Sequence, residues 1–177
     1  YNPKDETVHC YTADEQDRFS LSDNHAFAVY IDANEGLWIG TNVGGVNYSS
    51  AIQRNFEKQY LVKNQSLGDC LVRGFADDKK GHIWVATEKE GLLVYDKKSR
   101  QLTKIAGVNL PKTQFTVCYD SGILWIGTIQ GLYRFNPRTR ESKAYETLGF
   151  PFSMQDRRVF AIFCTSRHEL FVGTTVG

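Results

Sequence analysis

The chain has 177 residues, enough to bury one sizeable core. Its 21 basic and 20 acidic side chains leave a net charge of +1, which gives no support to a nucleic-acid or membrane-surface partner. No apolar run approaches the roughly 18–20 residues of a membrane-spanning helix.

In chain order, one phrase recurs four times. It reads Leu37-Trp38-Ile39-Gly40-Thr41, then Ile83-Trp84-Val85-Ala86-Thr87, then Leu124-Trp125-Ile126-Gly127-Thr128, then Leu170-Phe171-Val172-Gly173-Thr174. The aromatic residues stand 46, 41 and 46 positions apart. Self-similarity at such a period marks a repeat architecture. Each phrase follows a short apolar run and a polar turn, as in residues 27–31 followed by Asp32-Ala33-Asn34-Glu35-Gly36. After the first three phrases come a glycine (Gly45, Gly91, Gly131) and an aromatic residue (Tyr48, Tyr95, Phe135).

Each unit therefore reads as four short strands. Residues 27–31 are β-branched and aromatic, with a turn signal directly behind them. The core phrase is almost wholly apolar, as a strand covered on both faces must be. A glycine turn leads to a third strand at 46–48, and a more polar outer strand follows, clearest at 142–145. Four antiparallel strands per unit of about 40–45 residues specify an all-β fold, a β-propeller. The expected units are residues 1–24 (two outer strands), 25–70, 71–113, 114–155, and 156–177 (two inner strands). Tyr1-Asn2-Pro3-Lys4 matches Phe135-Asn136-Pro137-Arg138, which places residues 1–11 in the outer half of a blade. Three blades and two halves make about four blade-equivalents. The halves either close on each other or are cut edges of a larger ring, and the larger ring is expected. The phrase aromatics should pack between blades, and Gly40 and Gly127 should stand where a side chain would obstruct that packing.

Cys10, Cys70, Cys118 and Cys164 form no CxxC pair and no zinc spacing. They are expected as four free, small apolar residues, with disulfides possible if the protein is exported.

The recurrence of Leu-Trp-Ile-Gly-Thr, then Gly, then Tyr/Phe-Asn/Asp-Pro/Lys resembles the two-component regulator propeller repeat. The segment Leu21-Ser22-Asp23-Asn24-His25-Ala26 is similar to that family's linker between blades. The fourth unit departs, with Phe171 for Trp and Arg167-His168-Glu169 for the glycine turn. The resemblance implies a periplasmic sensor segment of a hybrid two-component system of Bacteroidetes, part of a seven-bladed ring. It also implies a following β-sandwich, a membrane helix and a histidine kinase with its phosphorelay, outside these residues. The implied ligand is an oligosaccharide. The implied partners are the remaining blades, the β-sandwich and a second copy in a homodimer.

Propellers bind ligands mostly on the face whose loops lead into the inner strands. Those loops are 22–26, 64–73, 111–114 and 155–158, joined by the turns 42–44, 88–90 and 129–130. They carry His25, Arg73, Lys112, Gln114, Arg157 and Arg158, the candidate ligand-binding residues. Guanidinium forks and amides suit an anionic or hydroxyl-rich sugar. The competing reading makes them ordinary solvated loop residues, with the arginines paired to Asp156 or Asp69. His9, His25, His82 and His168 occupy different repeat positions, so neither a metal site nor a cofactor is expected. A catalytic reading, by likeness to streptogramin-lyase-like propellers, would need His25 with Glu88 or Asp23 as general base. No nucleophile motif accompanies them, and this chain is expected to do no chemistry. A protein-interaction propeller is the remaining alternative, with Tyr60, Phe150 and Phe152 exposed and segment 148–152 either a cap or an interface patch.

Overall fold

The computed structural model describes residues 3–52, 56–59, 70–145 and 158–175. They contain fourteen strands and no helix. The first sheet is β1 (Ala26–Ile31), β2 (Leu37–Thr41), β3 (Val46–Ser49) and β4 (Phe56–Gln59). The second is β5 (Val72–Asp77), β6 (His82–Thr87), β7 (Leu92–Asp96) and β8 (Gln101–Lys104). The third is β9 (Gln114–Asp120), β10 (Ile123–Thr128), β11 (Gly131–Asn136) and β12 (Glu141–Tyr145). A two-stranded sheet of β13 (Val159–Cys164) and β14 (Leu170–Thr174) follows. Every sheet is an antiparallel meander in chain order. The first strands pack in series, β1 on β5, β5 on β9 and β9 on β13, so they stand innermost, as in propeller blades.

The core lies between sheets. Trp38 is 1% exposed and joins Val72, Ile83, Val85 and Leu93 in one cluster. Its ring centroid lies 4.8 Å from that of Tyr95 in the next sheet. Trp84 repeats the arrangement against Phe135, 6.4 Å away, in a second cluster with Val117, Leu124 and Ile126. Close sheet approach explains the phrase glycines. A Cβ on Gly40 would fall 2.4 Å from Val72 Cγ1 of the next sheet, and one on Gly127 would fall 2.6 Å from the Val159 carbonyl oxygen. Ala86, in the same place, is fully buried.

Residues 3–25 hold no named strand. The turn over residues 3–6 ends on Glu6 at φ 56°, as the turns before β8 and β12 end on Arg100 at φ 58° and Arg140 at φ 61°. That agrees with the repeat phase assigned to the start of the chain, but the outer strands expected over 1–11 are not among the fourteen. Residues 13–22 instead run along the flank of the first sheet. Leu21 is buried with Ile39 and Phe56, Ser22 N donates to Asn47 Oδ1 at 2.9 Å, and Asn47 Nδ2 donates to Ser22 Oγ at 2.8 Å.

The expectation of four free cysteines is corrected. Cys118 of β9 and Cys164 of β13 are joined by a disulfide, with Cα atoms 6.6 Å apart, a spacing that suits the bond. Cys118 pairs with Trp125 and Cys164 with Leu170, so their registers differ, and it is the packing of β9 on β13 that brings them together. Cys10 is exposed and free, and Cys70 is buried and free.

Candidate ligand-binding face

Each innermost strand breaks register at the same place. Pairing skips from Ala26 to Ala28 in β1, from Val72 to Gly74 in β5, from Gln114 to Thr116 in β9 and from Val159 to Ala161 in β13. The skipped residues are Phe27, Arg73, Phe115 and Phe160. A bulge leaves one residue out of the ladder and re-aims its side chain. The four form a collar where the loops enter the inner strands. Arg73 Cζ sits 4.5 Å from the centroid of the Phe27 ring. Phe115 and Phe160 stack with centroids 4.4 Å apart and planes 19° from parallel. Phe27 and Phe160 remain largely exposed, at 47% and 43%.

Of the residues expected at the site, Arg73 is the one in this collar. Its Nε donates to Glu88 Oε1 at 2.5 Å, and a terminal nitrogen reaches the same oxygen. Glu88 comes from the turn after β6, so the pair ties two loops of one blade. Asp156 and Asp69, the alternative partners expected for the loop arginines, lie outside the described residues. His25, two residues before Phe27, has its side chain 75% exposed, with Nδ1 3.0 Å from Asp23 Oδ1. Asp23 Oδ2 accepts the Val43 amide at 2.9 Å. Burial opposes the charge on Asp23, but the Val43 and His25 donors outweigh it and lower its pKa. Asp23, Asn24, Val43 and Gly44 line an open cavity of about 460 Å³ beside this loop. Of the two carboxylates named for His25 in the catalytic reading, Asp23 is the one it meets, while Glu88 is held by Arg73.

Gln114 is not a surface contact. It is fully buried, with Nε2 donating to the Pro111 carbonyl at 2.9 Å. It is buried where an exposed loop residue was expected, and it lines a cavity of about 180 Å³ together with Lys112. Lys112 is exposed beside it, and Arg158 is exposed just ahead of β13. Arg157, Tyr60, Phe150, Phe152 and segment 148–152 lie outside the described residues. The members missed from sequence, Phe27, Phe115 and Phe160, carried a signal. Phe27, Arg73 and Phe160 each stand eleven residues before the phrase aromatic, and Phe115 stands ten before Trp125, because its turn is one residue shorter.

The opposite face, at the turns before the phrases, holds blades together. Trp38 Nε1 donates to Asp32 Oδ2 at 3.0 Å. Lys97 of the second sheet reaches Asp77 Oδ2 at 3.0 Å and Asp32 Oδ2 at 3.4 Å. Burial opposes the Asp32 charge, but the indole, the Gly36 and Asn34 amides and Lys97 lower its pKa below the usual carboxylate range. Tyr30, half-buried and facing Asp77 and Asp32, is pushed up to about 12 by burial and those carboxylates. His168 Nδ1 meets Asp120 Oδ1 at 2.6 Å and links the last two sheets. Among the described residues no group of three His, Cys, Asp or Glu side chains converges as a metal site.

Residues 20–43, the linker, β1, its turn and β2, match the family model described as two component regulator propeller. The solved structures it is similar to include the extracellular domain of the putative hybrid two component system BT3049 from B. thetaiotaomicron. That match has 21% identity and a TM-score of 0.78, over 94% of this chain and 24% of that one. The extracellular domain of the putative one component system BT4673 from the same organism is 24% identical with a TM-score of 0.69, over 86% of this chain and 22% of that one. PorZ, a surface component of the type-IX secretion system of Porphyromonas gingivalis, is 19% identical with a TM-score of 0.57, over 71% of this chain and 19% of its own. No curated protein matches. The chain thus spans about a quarter of the length of the extracellular domains it is similar to.

Proposed function

We propose that this chain is a segment of an extracytoplasmic ligand-sensing propeller in a two-component-type receptor, and that its ligand is an oligosaccharide. The observation that carries the reading is the match of residues 20–43 to the two component regulator propeller model. The two most similar receptors named above are described as extracellular domains, which supports a periplasmic setting. The collar supports a sugar: Phe27, Phe115 and Phe160 offer apolar ring faces, and Arg73 offers a guanidinium fork to hydroxyl or carboxylate oxygens. Such a segment binds and does no chemistry. The histidine kinase and its phosphorelay belong to other parts of the receptor.

Val29 and Ile31 on β1 are 65% and 64% exposed, and Phe163 and Phe171 on the last sheet are 65% and 61% exposed. Further blades of a larger ring are the partners that suit these two flanks. A homodimer of the receptor would then convert a ligand-induced change of packing into a signal.

A thermal-shift screen of the intact receptor ectodomain against neutral and acidic oligosaccharides tests the reading. Ligand at 100 times its dissociation constant adds about 2.7 kcal/mol of stability. A shift with one glycan class, weakened by Arg73→Ala and by Phe115→Ala, is the expected result. No shift with any glycan overturns the sugar assignment.

A further inference from the structure

Two departures from the repeat fall in the same blade. At the collar position the first, third and fourth sheets carry Phe27, Phe115 and Phe160, and the second carries Arg73. Directly after the threonine of each phrase come Asn42, Glu88, Ile129 and Thr175, so the acidic residue also belongs to the second blade. The two departures meet. Glu88 Oε1 accepts from Arg73 Nε and from a terminal nitrogen of the same guanidinium. Both side chains are partly open to solvent.

This pairing sets what the collar can recognise. The guanidinium is kept at the collar by the Phe27 ring, whose centroid lies 4.5 Å from Cζ. One oxygen of Glu88 takes the edge formed by Nε and one terminal nitrogen. The other terminal nitrogen remains a donor, and Glu88 Oε2 remains an acceptor. The pair carries no net charge and sets a donor beside an acceptor. Neighbouring hydroxyls of a sugar ring give and take hydrogen bonds in that pattern. An ionised carboxylate only accepts. It would gain the arginine but lie against Glu88, and like charges at close range repel. The rest of the collar is apolar. Phe115 and Phe160 stack with centroids 4.4 Å apart, a surface for the C–H face of a sugar ring. Of the other cations on this side, Lys89 and Arg158 have interactions of their own, and Lys112 lines the smaller cavity beside Gln114.

We propose that the collar selects neutral sugars over acidic ones and that Glu88 sets this choice. With Arg73 it holds a pair of adjacent ring hydroxyls, while the stack of Phe115 on Phe160 carries an apolar sugar face. The proposal rests on the oligosaccharide-sensing reading above and narrows it, since Arg73 alone would take hydroxyl and carboxylate oxygens alike.

The test is isothermal titration calorimetry of the intact receptor ectodomain with matched pairs of glycans. Mannotetraose, cellotetraose and galactotetraose are each compared with the tetrasaccharide of the same linkage in which the primary alcohols are oxidised to carboxylates. The wild type should bind a neutral member at least about tenfold tighter than its acidic counterpart. Glu88→Gln keeps the size of the side chain and removes its charge. In that variant the affinity for the acidic member should rise and the preference should shrink or reverse, a gain that a merely structural role would not produce. Arg73→Ala should weaken binding of the neutral member. The wild-type comparison needs no variant, so it decides even where Glu88→Gln folds poorly. Equal or tighter binding of the acidic members by the wild type, or a preference unchanged in folded Glu88→Gln, would overturn the proposal and leave the sensing reading standing. No binding to any member would overturn it as well, and the wider thermal-shift panel above then decides the sensing reading.

Discussion

Asp32→Ala is the substitution with the largest expected effect per atom removed. The carboxylate side chain is 2% exposed and serves four groups at once. It accepts the Asn34 and Gly36 amides, both at 2.9 Å, inside its own turn. It also accepts the Trp38 indole and faces Lys97 across the sheet boundary. Alanine leaves the buried indole N–H without an acceptor, a loss of about 1–3 kcal/mol by itself. Lys97 keeps Asp77, so the charge is not stranded, and the roughly 3–5 kcal/mol of breaking a buried pair is an upper bound on the total. Urea unfolding followed by tryptophan fluorescence measures it. Asp32→Ala, Trp38→Phe and the double variant close a cycle whose coupling should exceed about 1 kcal/mol. The pH dependence has a definite sign. The folded pKa of Asp32 is lowered, so its stabilisation is complete above the unfolded value of about 3.9 and is lost as pH falls through the folded one. Asp32→Ala should therefore flatten the acid limb of the stability curve. A loss under about 1 kcal/mol, or a cycle with no coupling, would refute the claim that this carboxylate holds the Trp38 indole.

The phrase glycines offer an internal control. Gly127→Ala drives a methyl to 2.6 Å from a backbone oxygen, whereas Gly173→Ala meets the Ala161 Cβ at 3.3 Å. The first should cost at least about 1–3 kcal/mol of overpacking and the second clearly less; equal urea midpoints would count against close sheet approach at Gly127. The disulfide separates Cys118 and Cys164 by 46 residues, a loop for which chain entropy gives about 4 kcal/mol. Cys164→Ser should lower the unfolding free energy by up to that amount. Alkylation of the unreduced, unfolded protein should modify Cys10 and Cys70 alone, and labelling of all four cysteines would refute the bond.

Much of the fold was legible because a propeller is a local code repeated. A strand buried on both faces must be a continuous apolar run, and the tight turns need tolerant residues, so Leu37-Trp38-Ile39-Gly40-Thr41 and its copies announced themselves. The candidate site was only partly legible. Arg73 was found from its loop position, but Gln114 was expected at the surface and is buried. His25 and Arg73 were grouped, yet each is held by its own carboxylate. Phe27 and Phe115 looked like ordinary strand residues, because nothing in alternation marks where a ladder slips by one residue.

The sequence by itself determined the blade. Its period, its four-strand pattern and the small residue of each phrase are set within some 45 residues by backbone geometry and burial. Tertiary structure alone decided what meets across blades. Sheets packed in series bring Cys118 to Cys164, Lys97 to Asp32 and Arg73 to Phe27, and those contacts depend on how each sheet twists against its neighbour. Two equivalent tryptophans come out differently for the same reason. In the first sheet Trp38 Nε1 has Asp32 as its acceptor, whereas in the second His82, in the place of Gly36, takes Asp78 and the buried Trp84 indole N–H has no partner among the described residues.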